Sequence, residues 1–196
     1  MIAEATRRSA LADYAERFTT LYETTGGSLS IRELPFLTQI NLRVDAGDAA
    51  VMRRLSDALG FALPLTPNTV TLAGDRRALW LGPDEWLVAG PAEQAASLEQ
   101  ALRNGLAEAL GSVVDVSANR TVLEIRGPRA RDLLAHGVPI DLDRRSFGAN
   151  CCAQTLLAKA QVIIERRDDQ AAFYLYVRSS FAGYVAEWLL DAARAL

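Results

Sequence analysis

Apolar and polar residues change their period several times along this chain, and each change marks an element. Residues 36–44 alternate, with Phe36, Thr38, Ile40, Leu42 and Val44 on one side and Gln39, Asn41 and Arg43 on the other. A two-residue period predicts a half-buried strand whose polar side faces out. After Asp48 the spacing lengthens: Val51, Leu55 and Ala58-Leu59 fall on one helical face, and Gly60 supplies a stop. Three short apolar runs follow, TVTLAG (69–74), RALWLG (77–82) and EWLVAG (85–90), each long enough for one strand. Leucines at 98, 102, 106 and 110 then predict a helix over 91–111, opened by Pro91 and carrying the acid Glu93 in its first turn. SVVDVS (112–117) returns to a strand pattern.

The same order then repeats. RTVLEIRG (120–127) predicts a strand, and PRARDLLAHG (128–137) a helix with proline first and glycine last. Residues 151–167 give one or two strands and 171–179 another. The stretch 180–196 closes as a helix with Phe181, Tyr184, Val185, Trp188 and Leu189 inward. Each half runs strand, helix, two or three strands, helix, which is the order of ferredoxin-like βαββαβ units. The expected fold class is α+β, with two interlocked ferredoxin-like modules whose antiparallel sheets are covered by helices. The modules span 34–117 and 118–196, packed as one compact unit because no flexible linker separates them. Residues 1–33 read as an N-terminal extension, helical over 9–23 and loop over 24–30.

Composition narrows function mainly by exclusion. Half of the 196 residues are apolar, 23% are charged and the net charge is −3, so the basic footprint of a nucleic-acid binder is missing. No apolar run approaches the roughly 18 residues of a membrane span. The N-terminal stretch lacks a continuous apolar segment of the secretory type, which predicts a cytoplasmic protein. The positive charges are arginines apart from Lys159; pairs such as Arg76-Arg77 and Arg166-Arg167 read as solvated faces. Cys151 and Cys152 are neighbours, a spacing that strains a disulfide, so they read as small buried residues at the start of a strand.

Chemical candidates are few. Neither a glycine-rich dinucleotide fingerprint nor a phosphate-binding loop is present. His136 precedes Gly137 at a predicted helix end, where a histidine interacts with the last carbonyls, and a lone histidine makes a poor metal site. Asp115, Ser117 and His136 lack the glycines that flank a catalytic serine. Asp84 and Glu85 sit in LGPDEWL between Trp80 and Trp86. Adjacent strand residues point to opposite faces, so these acids do not form a catalytic pair. They read as hairpin-turn residues, with Asp84 accepting backbone N–H bonds and the tryptophans divided between core and surface. The helix start at IRGPRARDLL has free N–H groups near Arg126, Arg129 and Arg131, an arrangement able to hold an anion. Burial of Ala130, Leu133 and Leu134 is the simpler use of that element. No catalytic, cofactor-binding or metal-ligating residue is assigned to this chain.

Three blocks carry a resemblance. NTVTLAGDRRALWLGPDEWLVAG (68–90) resembles the signature of the gamma subunit family of heterotetrameric sarcosine oxidases. VVDVSANRTVLEIRGPRARDLLAHGVPIDL (113–142) and RSSFAGYVAEWLLDAA (178–193) look like that family's later blocks. The likeness runs from about Leu34 to the C-terminus, and Leu81 to Leu87 is its most specific element. It implies a non-catalytic small subunit of a complex that oxidises sarcosine to glycine, with hydrogen peroxide and either formaldehyde or methylenetetrahydrofolate as products. It further implies FAD, FMN, NAD and tetrahydrofolate on partner subunits and none here, the partners being the alpha, beta and delta chains, with no nucleic acid and no membrane. More distantly, residues 115–134 are similar to the folate-binding fold of aminomethyltransferases (T-protein). That likeness implies interlocked ferredoxin-like modules, and leaves a stand-alone tetrahydrofolate-binding or one-carbon transfer protein as the alternative.

Overall fold

The computed structural model describes residues 7–167 and 172–196. A short 3-10 turn leads into α1 (Ala15–Thr24), β1 (Ser30–Leu34), β2 (Thr38–Val44) and α2 (Ala49–Leu59). Then come β3 (Val70–Ala73), β4 (Arg76–Gly82), β5 (Glu85–Gly90), α3 (Ala95–Leu106) and β6 (Gly111–Asp115). The rest is β7 (Arg120–Arg126), α4 (Ala130–Ala135), β8 (Cys152–Leu157), β9 (Ala160–Arg166), β10 (Phe173–Arg178) and α5 (Ala182–Ala192).

Two five-stranded antiparallel sheets result, in the orders β3-β4-β5-β2-β6 and β8-β9-β10-β7-β1. The orders correspond strand by strand. β2 lies between β5 and β6 in the first sheet, and β7 lies between β10 and β1 in the second. The place that β6 fills at the end of one βαββαβ unit is filled in the other by β1, from the opposite end of the chain. This exchange interlocks the modules.

β1 is absent from the sequence reading, which made 24–30 loop and 1–33 an extension. It is short, and its polar residues are stabilised only by a distant strand. Arg32 donates to Glu124 and Thr121 donates to Glu33, both across the β1–β7 pairing, while Ile31 is buried. No local periodicity encodes such a strand.

The sheets stack face to face with helices outside. Val51 and Leu55 of α2 and Leu98 and Leu102 of α3 pack with Ile40, Leu42, Trp86 and Val88. Val70, Leu79, Leu87 and Ala89 meet Val122, Cys152, Ile163 and Tyr176 between the sheets. Phe18, Leu133, Val185 and Leu189 join Leu123, Ile125, Ile164 and Leu175 in the core beyond the second sheet. Four layers follow, helix, sheet, sheet and helix.

α2 begins and ends as its sequence dictates. The Asp48 carboxylate accepts from the N–H groups of Ala50 (3.0 Å) and Val51 (3.1 Å), and Gly60 closes the helix at φ +83°. α3 is shorter than its leucine spacing predicts. The Gln94 N–H donates to Thr38 Oγ1 and the Gln94 side chain accepts from Arg76, holding residues 91–94 as a loop, so Pro91 does not open the helix. Ala107, at φ +51°, ends it, and Leu110 is 93% exposed. Gly111 must be glycine, since a Cβ there would lie 2.5 Å from the Arg43 carbonyl oxygen.

Two faces also differ from expectation. Gln39 is buried rather than outward, because the side of β2 that it shares with Asn41 looks onto the second sheet. Its amide donates to the Arg120 carbonyl oxygen at 2.8 Å. On α5, Phe181 and Tyr184 are exposed at 43% and 39%, and the inner face is Ala182, Val185, Ala186 and Leu189.

Candidate functional site

The LGPDEWL stretch forms a tight hairpin in which Gly82 pairs with Glu85 across Pro83-Asp84. None of these residues has a positive φ, so the turn is not of the mirror-image type that matches strand twist. The pairing slips between Trp80 and Gly82, and that bulge absorbs the mismatch. Trp86 is fully buried with its Nε1–H donating to the Pro64 carbonyl at 2.8 Å, and its cross-strand partner Trp80 is half-buried. The expected division between core and surface does not occur, because as cross-strand partners the two tryptophans share one face and Trp80 packs against the same core as Trp86.

Both hairpin acids are committed to structural partners. Asp84 accepts from Arg43 Nη2 at 2.9 and 3.2 Å, and the Asp84 backbone carbonyl takes the Val44 N–H. The expected backbone N–H bonds to the Asp84 side chain are replaced by this ion pair. Glu85 accepts from Asn41 at 2.7 Å. The side chains of Arg43 and Asp84 are half exposed, so Asp84→Ala is expected to cost about 0.5 kcal/mol. Urea melts should show that loss shrinking further at high salt.

A buried polar cluster that the sequence reading lacks lies between the sheets. Glu165 is fully buried; its carboxylate accepts from Tyr176 Oη at 2.8 Å and Arg167 Nη1 at 2.9 Å, with Arg77 Nη1 at 3.7 Å. The Arg77 and Arg167 guanidiniums each lie 4.9 Å from the centre of the Tyr174 ring. Arg166 is buried as well, donating to the Phe147 carbonyl at 2.9 Å. Arg77 and Arg166 are therefore interior residues, in correction of the solvated-face reading. The available signal was parity: Glu165 falls on the same strand face as Ile163.

The remaining candidates resolve individually. His136 Nδ1 donates to the Asp132 carbonyl at 2.9 Å, as expected for a residue at a helix end. Ser117 donates to Asp115 and accepts the Gln39 N–H, closing the loop after β6. At the start of α4, Gly127 sits at φ +114°, where a Cβ would meet the Ser28 carbonyl oxygen at 2.4 Å. Arg129 donates to the Leu196 carbonyl, and Arg131 lies within ion-pair distance of Asp132 and Asp143. This element packs Ala130, Leu133 and Leu134, and its arginines serve the fold. Among the described residues no cluster of three or more histidine, cysteine or acidic side chains is arranged for a metal.

Cys152 is buried, its Sγ–H directed at the Thr69 and Trp80 carbonyls. Burial first, then the negative charge of Glu165, pushes this thiol up to about 12. Iodoacetamide at pH 8 is expected to spare Cys152 in the folded chain and to alkylate it after denaturation, as read by peptide mapping. The protonated thiol favours the folded state fully below the unfolded pKa of about 8.5. That contribution is lost as pH rises toward about 12, so melting temperatures from pH 8 to 11 should fall less steeply for Cys152→Ala.

The layered pair of ferredoxin-like modules defines a class of fold. The glycine cleavage system aminomethyltransferase T from Bartonella henselae shares it, with a TM-score of 0.63 over 85% of this chain and 46% of that one, at 17% identity. Within that class, the sarcosine oxidase, gamma subunit family model matches residues 43–195, and the chain belongs to that family. It is 38% identical over 170 residues to sarcosine oxidase subunit gamma of Corynebacterium sp. (strain P-1), covering 86% of this chain and 82% of that one. It is 36% identical to the same subunit of Corynebacterium sp. (strain U-96) over 189 residues, 95% of this chain and 89% of the relative. A chain of the heterotetrameric sarcosine oxidase from Corynebacterium sp. U-96, solved with pyrrole 2-carboxylate, matches with a TM-score of 0.86 at 33% identity, covering 96% and 95% of the two chains.

Proposed function

We propose that this chain is the gamma subunit of a heterotetrameric sarcosine oxidase and contributes assembly rather than chemistry. The observation that carries this reading is the match, over nearly the whole of both chains, to a chain of a heterotetrameric sarcosine oxidase. FAD, FMN, NAD and tetrahydrofolate belong in this reading to the larger alpha and beta subunits of a complex that oxidises sarcosine to glycine. Residues 34–117 and 118–196 act as one rigid unit. Support comes from the use of the chain's own polar groups: Asp84 and Glu85 hold strand ends together, and Glu165 joins one sheet to the other.

The purified chain is expected to be colourless above 320 nm or so and inactive on sarcosine, since flavins absorb in the visible. A co-purifying flavin, or turnover by this chain alone, contradicts the reading. The aminomethyltransferase likeness concerns the fold. Calorimetric titration of the chain with tetrahydrofolate is expected to give no binding heat, and micromolar binding would instead favour the stand-alone one-carbon protein.

A further inference from the structure

On the face of the second sheet that looks toward the first, β7 and β10 end side by side, and Arg120 and Arg178 are direct cross-strand partners. Two like charges in that position repel, which disfavours the pairing unless something neutralises them. Most arginines in the chain have an acid close by, as Arg17 has Glu187, Arg43 has Asp84 and Arg103 has Glu99. Among the described residues neither Arg120 nor Arg178 has an ion-pair partner or a side-chain hydrogen bond. The acid whose charge reaches Arg120 is Glu85, which is bonded to Asn41. Arg120 is half-buried; desolvation first, and the charge of Arg178 second, lowers its pKa.

Both arginines line a cleft of about 400 Å³ whose other walls include Gln154, Gln161, Leu156 and Ile163. Gln154 ties the cleft to the first sheet by donating to the carbonyl of Leu81, the first residue of the LGPDEWL stretch, at 2.9 Å. A cleft lined by one sign of charge concentrates ions of the other sign. Arginine matches carboxylate oxygens in a two-point geometry, and the apolar wall favours a ligand with a hydrocarbon part over a bare inorganic ion.

We propose that this cleft is a binding site for an organic carboxylate, held between Arg120 and Arg178 with its hydrocarbon portion against Leu156 and Ile163. The carboxylate comes either from a free small acid or from an acidic group on another subunit.

The test uses thermal melts of the full chain in succinate against sodium chloride of equal ionic strength, with inorganic phosphate as the comparison lacking a hydrocarbon part. Succinate is expected to raise the melting temperature saturably by about 2 °C or more, and phosphate by less. Arg178→Gln and Arg120→Gln should each abolish the succinate response. In chloride alone Arg178→Gln should melt no lower than the parent, since it removes a repulsion from an exposed position. The same melts on the co-expressed complex separate the sources. A retained succinate response identifies a free acid. A response lost on assembly, with Arg178→Gln weakening assembly, identifies a carboxylate from a partner subunit. The proposal is overturned if succinate acts no differently from chloride on the full chain, or if either variant keeps the response. Failure of the parent chain to join the large subunits would instead count against the gamma-subunit reading, and leave the response of the chain alone to decide this one.

Discussion

A chain lacking residues 1–34 is expected not to fold. The segment supplies β1, the strand that completes the second sheet beside β7, and it carries Leu11, Phe18, Leu21, Leu29 and Ile31 into the core. Burying five such side chains contributes about 7–15 kcal/mol, as much as the roughly 5–15 kcal/mol that stabilises an ordinary domain. Truncation also bares the edge of β7, which invites pairing between chains. The expected product is insoluble, or soluble without near-ultraviolet dichroism. Adding residues 1–34 as a separate peptide should restore cooperative melting. A truncated chain that remains monomeric and melts cooperatively would show that β1 is an ornament and not the closing strand of its module.

The second large effect is expected at Glu165. Its carboxylate takes the Tyr176 hydroxyl and the Arg167 guanidinium and faces Arg77 across the gap between the sheets. Glu165→Ala leaves the buried Arg77 without its counter-charge and the Tyr176 hydroxyl without its acceptor, which should cost about 3–5 kcal/mol in urea unfolding. Glu165→Gln keeps the volume and one acceptor oxygen, so its loss should be smaller. The double variant Glu165→Leu, Arg77→Met replaces charge on both sheets by apolar volume and should recover much of the deficit. A Glu165→Ala loss under about 1 kcal/mol would mean that water reaches the cluster and that it does not join the sheets.

These two sites also mark where the sequence is legible and where it is not. The period-two pattern of β2, the capped amphipathic α2 and the hairpin of β4 and β5 are local, since each is set by residues within a turn or two of one another. The repeated order of elements, and with it the α+β class, follows from such patterns. β1 is not local: its partner β7 lies some ninety residues away, and the hydrogen bonds of Arg32 and Glu33 exist only once the sheet has formed. The same holds for Arg77 and Glu165, on different sheets, whose charges suggest solvent to any reading made one segment at a time. The leucine spacing that extends α3 to 110 fails for a related reason, because Gly111 must pass close to the Arg43 carbonyl and the chain has to leave the helix before it. Asp84 and Glu85 lie at the hairpin turn that the local sequence predicts, although the particular partner of Asp84, Arg43, depends on strand register and not on turn chemistry.

The most direct measurement is co-expression of this chain with the three proposed partner subunits, followed by affinity purification through a tag on this chain and light-scattering determination of the mass. A complex containing one copy of each of the four chains, yellow with flavin and active on sarcosine, is the expected result. If this chain elutes alone while the other three assemble and oxidise sarcosine at full rate without it, the assignment as a structural subunit of the complex is contradicted.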